Sequence, residues 1–232
     1  MKIDFHVHSH FSSDALHSVE QLAAAAKAKG LDAIGISDHN TIAKKLGSSG
    51  ARKARMSSPT SQLSSSGVLI LYGTEVSTAQ GHVQVFGTGK TYQKGIDAFE
   101  LVRQVKKDGG ITIVAHPFSL RPHALHSLAT KVGATAIEKY NGRDFVHSWR
   151  ARRMGISGTG GSDAHVMQEV GNAWTEIDCA LNEDAILAAV AKGKIKAFYR
   201  PSIASIASRY AQKMRKIMFA GGKMSDFATG KL

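Results

Sequence analysis

The sequence predicts a single α/β domain built from repeated strand–helix units, and two observations support this fold class. First, short apolar runs alternate along the chain with segments of helical periodicity, which is typical of βα units. Second, a chain of 232 residues with 43% hydrophobic content can form one packed core. We therefore predict one domain over residues 1–232, and α/β barrels of this size are common.

The apolar runs give the predicted strands, which are Lys2–His8, Ala33–Ser37, Val68–Glu75, His82–Gly87, Ile111–His116, Thr135–Tyr140 and Ile156–Ser162. The predicted helices lie near Ser18–Lys29, Ala98–Lys107, Ala124–Lys131, Asp144–Met154 and Glu183–Lys192. Ser18 and Gln21 fit a capping box at the first helix. The short glycine-containing link before His82 predicts a local hairpin between two strands.

Two segments differ in composition from the rest of the chain. Residues 44–67 contain eight serines and three glycines among 24 residues, which predicts a mobile insertion over the domain. Residues 199–232 contain seven basic residues and one acidic residue, with apolar side chains at helical spacing. This second segment predicts a basic C-terminal helical extension that packs on the domain.

Charge and cysteine content limit the functional classes. Thirty Lys and Arg residues against eighteen Asp and Glu give a net charge of +12, which favours phosphorylated metabolites, nucleotides or nucleic acid as partners. A single cysteine, Cys179, excludes an internal disulfide scaffold. The sequence shows no apolar run near 18 residues and no signal-peptide pattern, so we expect a cytoplasmic protein without a membrane partner.

The histidines follow a pattern that indicates a metal site. In the first predicted strand, period two places Asp4, His6 and His8 on one face. Counting this strand, five predicted strands end in a side chain that can bind a metal, and His82 begins a sixth. Because the carboxyl ends of parallel barrel strands meet at one mouth, we expect these groups to converge there.

The predicted ligands are six imidazoles and three carboxylates, too many for one ion. Nitrogen and oxygen ligands without thiolates suit two or three divalent ions, namely zinc, manganese or iron. The nine residues are His6, His8, Asp14, His39, Glu75, His82, His116, Asp163 and His165.

The order of these motifs resembles that of the PHP (polymerase and histidinol phosphatase) family. The motifs are His6-Val7-His8 with Ser13-Asp14, Ser37-Asp38-His39-Asn40-Thr41, Glu75-Val76-Ser77, Ala115-His116-Pro117 and Gly161-Ser162-Asp163-Ala164-His165. The resemblance implies a distorted (β/α)7 TIM-like barrel with a trinuclear metal site at the C-terminal strand ends. It also implies ligand roles for every predicted ligand except His82, whose spacing from the glutamate varies among members. Residues after Asp163 resemble short, stand-alone members with a C-terminal extension.

We therefore predict a metal-dependent phosphoesterase that uses metal-activated water, with catalysis assigned to His6, His8, Asp163 and His165. Nucleotides or short oligonucleotides are the preferred substrates, because distributed positive charge suits extended polyanions. A histidinol-phosphate-type phosphatase stays open, as does a metal-containing nucleic-acid-binding or regulatory module without catalysis.

Four other residues are candidates around this site. Asp4 and Asp38 lie close in sequence to His6 and His39, so either carboxylate could orient an imidazole. Arg121 and Arg143 follow predicted strand ends, where a guanidinium could hold phosphate oxygens through two hydrogen bonds.

Overall fold

A computed structural model of the chain describes residues 1–43, 60–120, 122–144 and 148–200. The strands are β1 Lys2–Val7, β2 Ala33–Ile36, β3 Ser61–Leu63, β4 Leu69–Tyr72, β5 Thr74–Ser77, β6 His82–Phe86, β7 Ile111–Val114, β8 Ala136–Asn141, β9 Gly158–Gly161, β10 Ala173–Ile177 and β11 Ile195–Tyr199. The helices are α1 Val19–Ala28, α2 Ala98–Lys107, α3 Ser148–Arg152 and α4 Glu183–Ala191, and two short 3₁₀ segments span His126–Thr130 and Met167–Glu169.

The strands form two mixed sheets. One sheet has the order β11-β10-β1-β2-β4-β3, and the other has the order β5-β6-β7-β8-β9. The predicted α/β class fits these elements, but the predicted (β/α)7 TIM-like barrel is wrong, because the described strands do not close into a barrel. The physical reason is strand direction. A βα barrel requires parallel neighbours, whereas β1 pairs antiparallel with β10 and the β5-β6-β7 strands pair antiparallel in sequence.

Two isolated bridges bring the sheets together at one end of the molecule. Val7 at the end of β1 pairs with Ala164, which follows β9, and His39 pairs with Glu75 of β5. Each bridge therefore joins a segment of one sheet to a segment of the other. Both bridges lie beside predicted metal ligands, so the contact between the sheets positions the candidate site.

The helices pack apolar side chains against the sheets. In α1 the capping box predicted from Ser18 and Gln21 is present, and Leu22 is fully buried. Leu101 of α2 and Ile186 of α4 are also fully buried, each in its own cluster of core residues. Burial of one such side chain contributes about 1.5–3 kcal/mol, so this packing fixes the helices on the sheets.

A glycine divides one predicted strand between the two sheets. The run Val68–Glu75 is interrupted at Gly73, after which the chain enters the β5–β6 hairpin of the second sheet. A Cβ atom at Gly73 would lie 2.5 Å from the Phe86 ring and 2.5 Å from the Val85 carbonyl oxygen. Only glycine allows this approach, so the hairpin that carries Glu75 depends on it.

The insertion predicted at 44–67 and the extension predicted at 199–232 lie mostly outside the described residues. Of the first segment, residues 60–67 are described and contain β3, which pairs antiparallel with β4. Of the second, only Tyr199 and Arg200 are described. Both predictions, like that of a single domain, stay predictions. In the part of the chain that is described, no helix combines the length and apolarity of a membrane span.

Candidate metal centre

The structure brings all nine predicted metal ligands into one cluster. Each of them has a ring nitrogen or carboxylate oxygen within 3.7 Å of such an atom in another member. Most lie in or just after a strand: His6 in β1, Glu75 in β5 and Asp163 after β9 are examples. The convergence expected from the strand ends is therefore present, although the sheets are not a barrel.

Glu75 lies at the middle of the cluster and is almost fully buried. Its Oε1 atom is 3.3 Å from His6 Nε2 and 3.3 Å from His116 Nε2. Its Oε2 atom is 2.9 Å from His39 Nδ1 and 3.3 Å from His82 Nδ1. Burial opposes ionisation of Glu75, but the positive charges of His82 and His6 hold its pKa well below its usual value. An ionised carboxylate with imidazoles on both oxygens has the geometry of a bridging ligand.

Three neighbouring groups of side chains could each hold a metal ion. They are His8 with His39 and His165, His6 with His8 and Asp163, and His39 with Glu75 and His82. Within each group the ligand atoms lie within 4.8 Å of one another. His8 and His39 each belong to two groups, so the three positions are adjacent rather than separate.

The other two predicted ligands, Asp14 and His116, contact members of these groups. Asp14 Oδ2 is 2.9 Å from His165 Nε2 and 3.6 Å from His39 Nε2. His116 contacts the cluster through Glu75. Burial disfavours charge on Asp14, but hydrogen bonds with His165 and His39 lower the pKa of its carboxyl.

The arrangement of donor atoms fits bound cations. His6 Nδ1 is 2.7 Å from Glu138 Oε1, so this nitrogen donates and Nε2 carries the lone pair in the neutral ring. That Nε2 atom faces His8 Nε2 at 3.0 Å, Glu75 Oε1 at 3.3 Å and Asp163 Oδ1 at 3.7 Å. Buried lone pairs and negative oxygens that face one another are costly unless a positive charge lies between them. Burial opposes charge on His6, but the negative charges of Glu138 and Glu75 raise its pKa, so a proton on this ring supplies the positive charge when no metal is bound. Among the described residues, Glu75 Oε1 is buried without a hydrogen bond, which also fits a metal ligand.

The pKa shifts of the cluster follow from the same geometry. Burial lowers the pKa of His8 to about 3, with positive charge at His165 and His39 acting in the same direction, so His8 is a neutral ring. Burial acts against charge on Asp163, but the positive charge of His6 holds the pKa of this carboxyl well below its usual value. A neutral imidazole and an ionised carboxylate are the forms that bind metals.

Glu138, in β8, is a site residue that sequence reasoning missed. It is buried, and its carboxylate accepts hydrogen bonds from His6 Nδ1 at 2.7 Å, Gln84 Nε2 at 3.1 Å, the His116 backbone N–H at 2.7 Å and Asn141 Nδ2 at 2.9 Å. A carboxylate in this position orients a metal-binding imidazole and raises its basicity. The available signal was an acidic residue within an apolar run predicted to be a buried strand.

Asp4 and Asp38 do not contact an imidazole ring in the described structure. Asp4 accepts backbone N–H groups of His6, Ser162 and Gly171, and burial raises the pKa of its carboxyl to about 6. Asp38 accepts hydrogen bonds from the backbone and hydroxyl of Ser9 and from Ser12 Oγ. These carboxylates fix the loops that carry the ligands, rather than the rings themselves.

Of the two predicted phosphate-binding arginines, one is described. Arg143 Nη1 is 2.9 Å from His165 Nδ1, and Arg143 Nε is 3.7 Å from Glu169 Oε1. The guanidinium therefore lies against the cluster, where it could reach a phosphate oxygen. Arg121 lies outside the described residues.

Sequence comparisons find one family model and one relative. The model of the family described as PHP-associated matches residues 150–195. An uncharacterised protein from Methanocaldococcus jannaschii is 26% identical over 152 residues, which cover 61% of this chain and 82% of that protein.

Solved structures of low sequence identity share the fold. PsfC from Pseudomonas syringae superposes with a TM-score of 0.64 at 17% identity, over 93% of this chain and 97% of that one. The lesion-specific endonuclease Q from Pyrococcus furiosus gives 0.58 at 17% identity, over 84% of this chain and 57% of its own. A candidate metal-dependent phosphoesterase from Bifidobacterium adolescentis gives 0.51 at 15% identity, over 71% and 88%. The match to the PHP-associated model over residues 150–195 confirms the resemblance to the PHP family that the sequence motifs indicate, and the solved structures show that the fold is shared.

Proposed function

We propose that this protein is a metal-dependent phosphoesterase that hydrolyses nucleotides or short oligonucleotides. The observation that carries the proposal is the convergence of six imidazoles and three carboxylates, seven of which form three adjacent groups that could each hold a metal ion. A structural metal site needs about four ligands and is usually closed, whereas a cluster of adjacent positions suits metal-assisted hydrolysis.

The cluster residues would hold two or three divalent ions, with zinc, manganese or iron as the candidates that fit nitrogen and oxygen ligands. When bound, such ions lower the pKa of water and neutralise charge on a phosphate ester. His6, His8, Asp163 and His165 would hold the ions at which substrate reacts. Glu75 would connect neighbouring ions through its two oxygens, each of which faces imidazoles at 3.3 Å or less.

The surrounding residues would position the reacting groups. Glu138 holds the His6 ring in one orientation, so that its Nε2 lone pair faces the cluster. Arg143, which lies 2.9 Å from His165, would bind a phosphate oxygen of the substrate. Phosphoryl transfer depends mainly on positioning and charge neutralisation, which this arrangement is suited to supply.

The structural neighbours support the reaction class. One is an endonuclease that acts on lesions, and another is described as a metal-dependent phosphoesterase. This chain spans little more than half of the endonuclease, 57% of its length, so its lesion specificity is not carried over.

A combined metal and activity measurement tests the proposal. The purified protein is analysed for its metal content and assayed for hydrolysis of p-nitrophenyl phosphate, bis-p-nitrophenyl phosphate, nucleotides, histidinol phosphate and a short oligonucleotide. We expect metal-stimulated hydrolysis of nucleotides or oligonucleotides, and loss of hydrolysis in His8→Ala. His17→Ala, which changes a half-buried histidine outside the cluster, is the matched control and should retain activity.

Three outcomes would redirect or refute the proposal. Turnover confined to histidinol phosphate would favour a small-molecule phosphatase. Salt-dependent binding of DNA without phosphate release would favour a non-catalytic module. Wild-type rates in a folded, metal-poor His8→Ala variant would contradict the assigned mechanism.

A further inference from the structure

The fold assembles arginines and aromatic rings beside the metal centre, a pattern that does not appear as a stripe in the sequence. Four residues form this surface, which we call the arginine ridge: Phe118, Trp149, Arg150 and Arg153. Three of them belong to the segment 148–153, which contains three arginines and no carboxylate. The fourth, Phe118, follows His116 by two residues.

The arginines of the ridge pack against aromatic faces. Arg150 Cζ lies 5.8 Å from the centroid of Phe118 and 5.8 Å from that of Trp149. Arg153 Cζ lies 5.0 Å from the centroid of Trp149. A guanidinium stacked on a ring keeps its N–H edge available, and that edge matches a phosphate group.

Three of the four ridge residues are accessible, and the ridge carries uncompensated charge. Trp149 is 45% exposed and Arg150 and Arg153 are also exposed, whereas Phe118 is buried. Neither arginine forms an ion pair with any residue that the structure describes. Two unpaired guanidinium groups beside an exposed indole are suited to an anionic ligand with planar groups.

The ridge is fixed to the rim of the metal centre at two points. At one point, Arg150 packs on Phe118, which is close in the chain to the ligand His116. At the other, the Ser148 hydroxyl donates to the carbonyl of Asp144, the residue after Arg143, whose guanidinium reaches His165. A ligand held on the ridge would therefore lie next to the cluster.

Positive charge and aromatic surface continue beyond the ridge. Arg152 Cζ lies 5.3 Å from the centroid of Tyr140. Lys139, Arg152 and Lys196 line an adjacent cavity of about 530 Å³ together with Tyr140, and no acidic residue lines it. Basic side chains at the ridge and at this cavity offer more than one site for phosphate, which suits a chain of several phosphates better than a single phosphomonoester.

We propose that the arginine ridge binds single-stranded nucleic acid, with a base stacked on Trp149 and phosphates held by Arg150 and Arg153. The strand would continue toward the metal centre at one end and toward the Lys139–Lys196 cavity at the other. This inference rests on the proposed phosphoesterase function and specifies the substrate as an oligonucleotide rather than a small phosphate ester.

Binding of a fluorescently labelled 12-nucleotide single strand by the 232-residue chain tests the ridge. Anisotropy is measured with metal-free protein between 50 and 200 mM salt, so that cleavage does not interfere. We expect Trp149→Ala to weaken binding about 5- to 150-fold, the usual effect of losing one stacked base. We expect Arg150→Gln/Arg153→Gln to lower the slope of log Kd against log salt by about 1.4, the value for two phosphate contacts on a single strand.

The matched control is Arg103→Gln/Lys107→Gln, which removes two positive charges from exposed positions of α2. The control should bind the strand as the wild type does, and all variants should show wild-type circular dichroism. The proposal is overturned if the wild type does not bind the strand, or if the control loses as much affinity as the ridge variants. It is also overturned if the ridge variants bind the strand as the wild type does. The same holds if their only loss is of binding to phosphatidylserine–phosphatidylcholine vesicles.

A parallel assay of wild-type hydrolysis of bis-p-nitrophenyl phosphate separates the two proposals. Ridge-dependent binding of the strand without any metal-stimulated hydrolysis would refute the phosphoesterase function while supporting the ridge. Hydrolysis without binding of the strand would refute the ridge alone.

Discussion

Replacing Glu138 by glutamine tests whether this carboxylate sets the metal-binding form of His6. In the wild type, Glu138 Oε1 accepts from His6 Nδ1 and Gln84 Nε2, while Oε2 accepts from the His116 backbone and Asn141 Nδ2. Glutamine keeps the shape but has one oxygen, so two of four buried donors would lose their acceptor. If nothing relaxed, two unsatisfied donors at about 1–3 kcal/mol each would reduce the free energy of unfolding by about 2–6 kcal/mol.

The structure offers a way to avoid most of this cost. The amide nitrogen introduced by the substitution can take the place of Glu138 Oε1. Gln84 can then rotate its amide so that its oxygen accepts from this nitrogen, because Gln84 Oε1 is buried without a hydrogen-bond partner among the described residues. His6 would then accept at Nδ1 and carry its proton at Nε2, the atom that faces Glu75 and Asp163. We therefore expect a stability loss of about 2 kcal/mol or less, whereas metal affinity should fall about 10- to 100-fold.

Two measurements on the same preparation distinguish these effects. Urea denaturation of the metal-free protein gives the free energy of unfolding, and chelator competition with zinc or manganese gives the metal affinity. Glu20→Gln, an exposed substitution in the first turn of α1, is the control and should change stability by less than about 0.5 kcal/mol. Metal affinity within twofold of wild type in Glu138→Gln would refute the positioning role of Glu138. A loss of stability above 6 kcal/mol would show that Glu138 supports the fold instead.

Three further predictions concern the cluster. His8→Ala should reduce p-nitrophenyl phosphate hydrolysis to background with unchanged circular dichroism, and a retained rate would exclude His8 from the site. Chelation should lower the melting temperature in differential scanning fluorimetry, because metal at 100 times its Kd adds about 2.7 kcal/mol; equal melting curves with and without metal would argue against a bound ion. Gly161→Ala should destabilise the protein by about 1–3 kcal/mol in urea, because the added Cβ would lie 2.5 Å from His6 Cβ and 2.6 Å from Glu138 Oε1. Gly155→Ala, whose Cβ would meet no atom within 4 Å, is the matched control, and equal effects would contradict this reasoning.

Helices could be predicted from the sequence where the apolar spacing and the capping residue lie together in one short stretch of chain. The helix predicted near Ala98–Lys107 has the same bounds as α2, because the apolar spacing lies within that segment and the capping residue Asp97 directly precedes it. The helices predicted near Ala124–Lys131 and Asp144–Met154 are shorter, as a 3₁₀ turn at His126–Thr130 and as α3. The prediction missed β10 and β11, which have too few strictly alternating or continuous apolar residues to stand out.

The barrel prediction failed because strand direction is not a local property. β1 accepts β10 as an antiparallel neighbour, with Lys2 opposite Glu176, and no pattern in either strand specifies that pairing. The candidate ligands could still be predicted, because they need only lie at strand ends that meet. The two-residue alternation of a β-strand correctly places His6 and His8 on one face. It could not show that the Asp4 carboxylate accepts hydrogen bonds from backbone N–H groups of distant segments.

The placement of β1 has a consequence for how the protein is made. Asp14 and His165, which are 2.9 Å apart, are separated by 151 residues of chain, and β1 completes its pairing only with β10. During translation, a nascent chain cannot complete the two metal-binding groups that contain Asp163 or His165 until the ribosome has released β9 and the segment after it. Such distant contacts form late and slowly, so metal uptake at these two groups should report completed folding rather than guide its early steps.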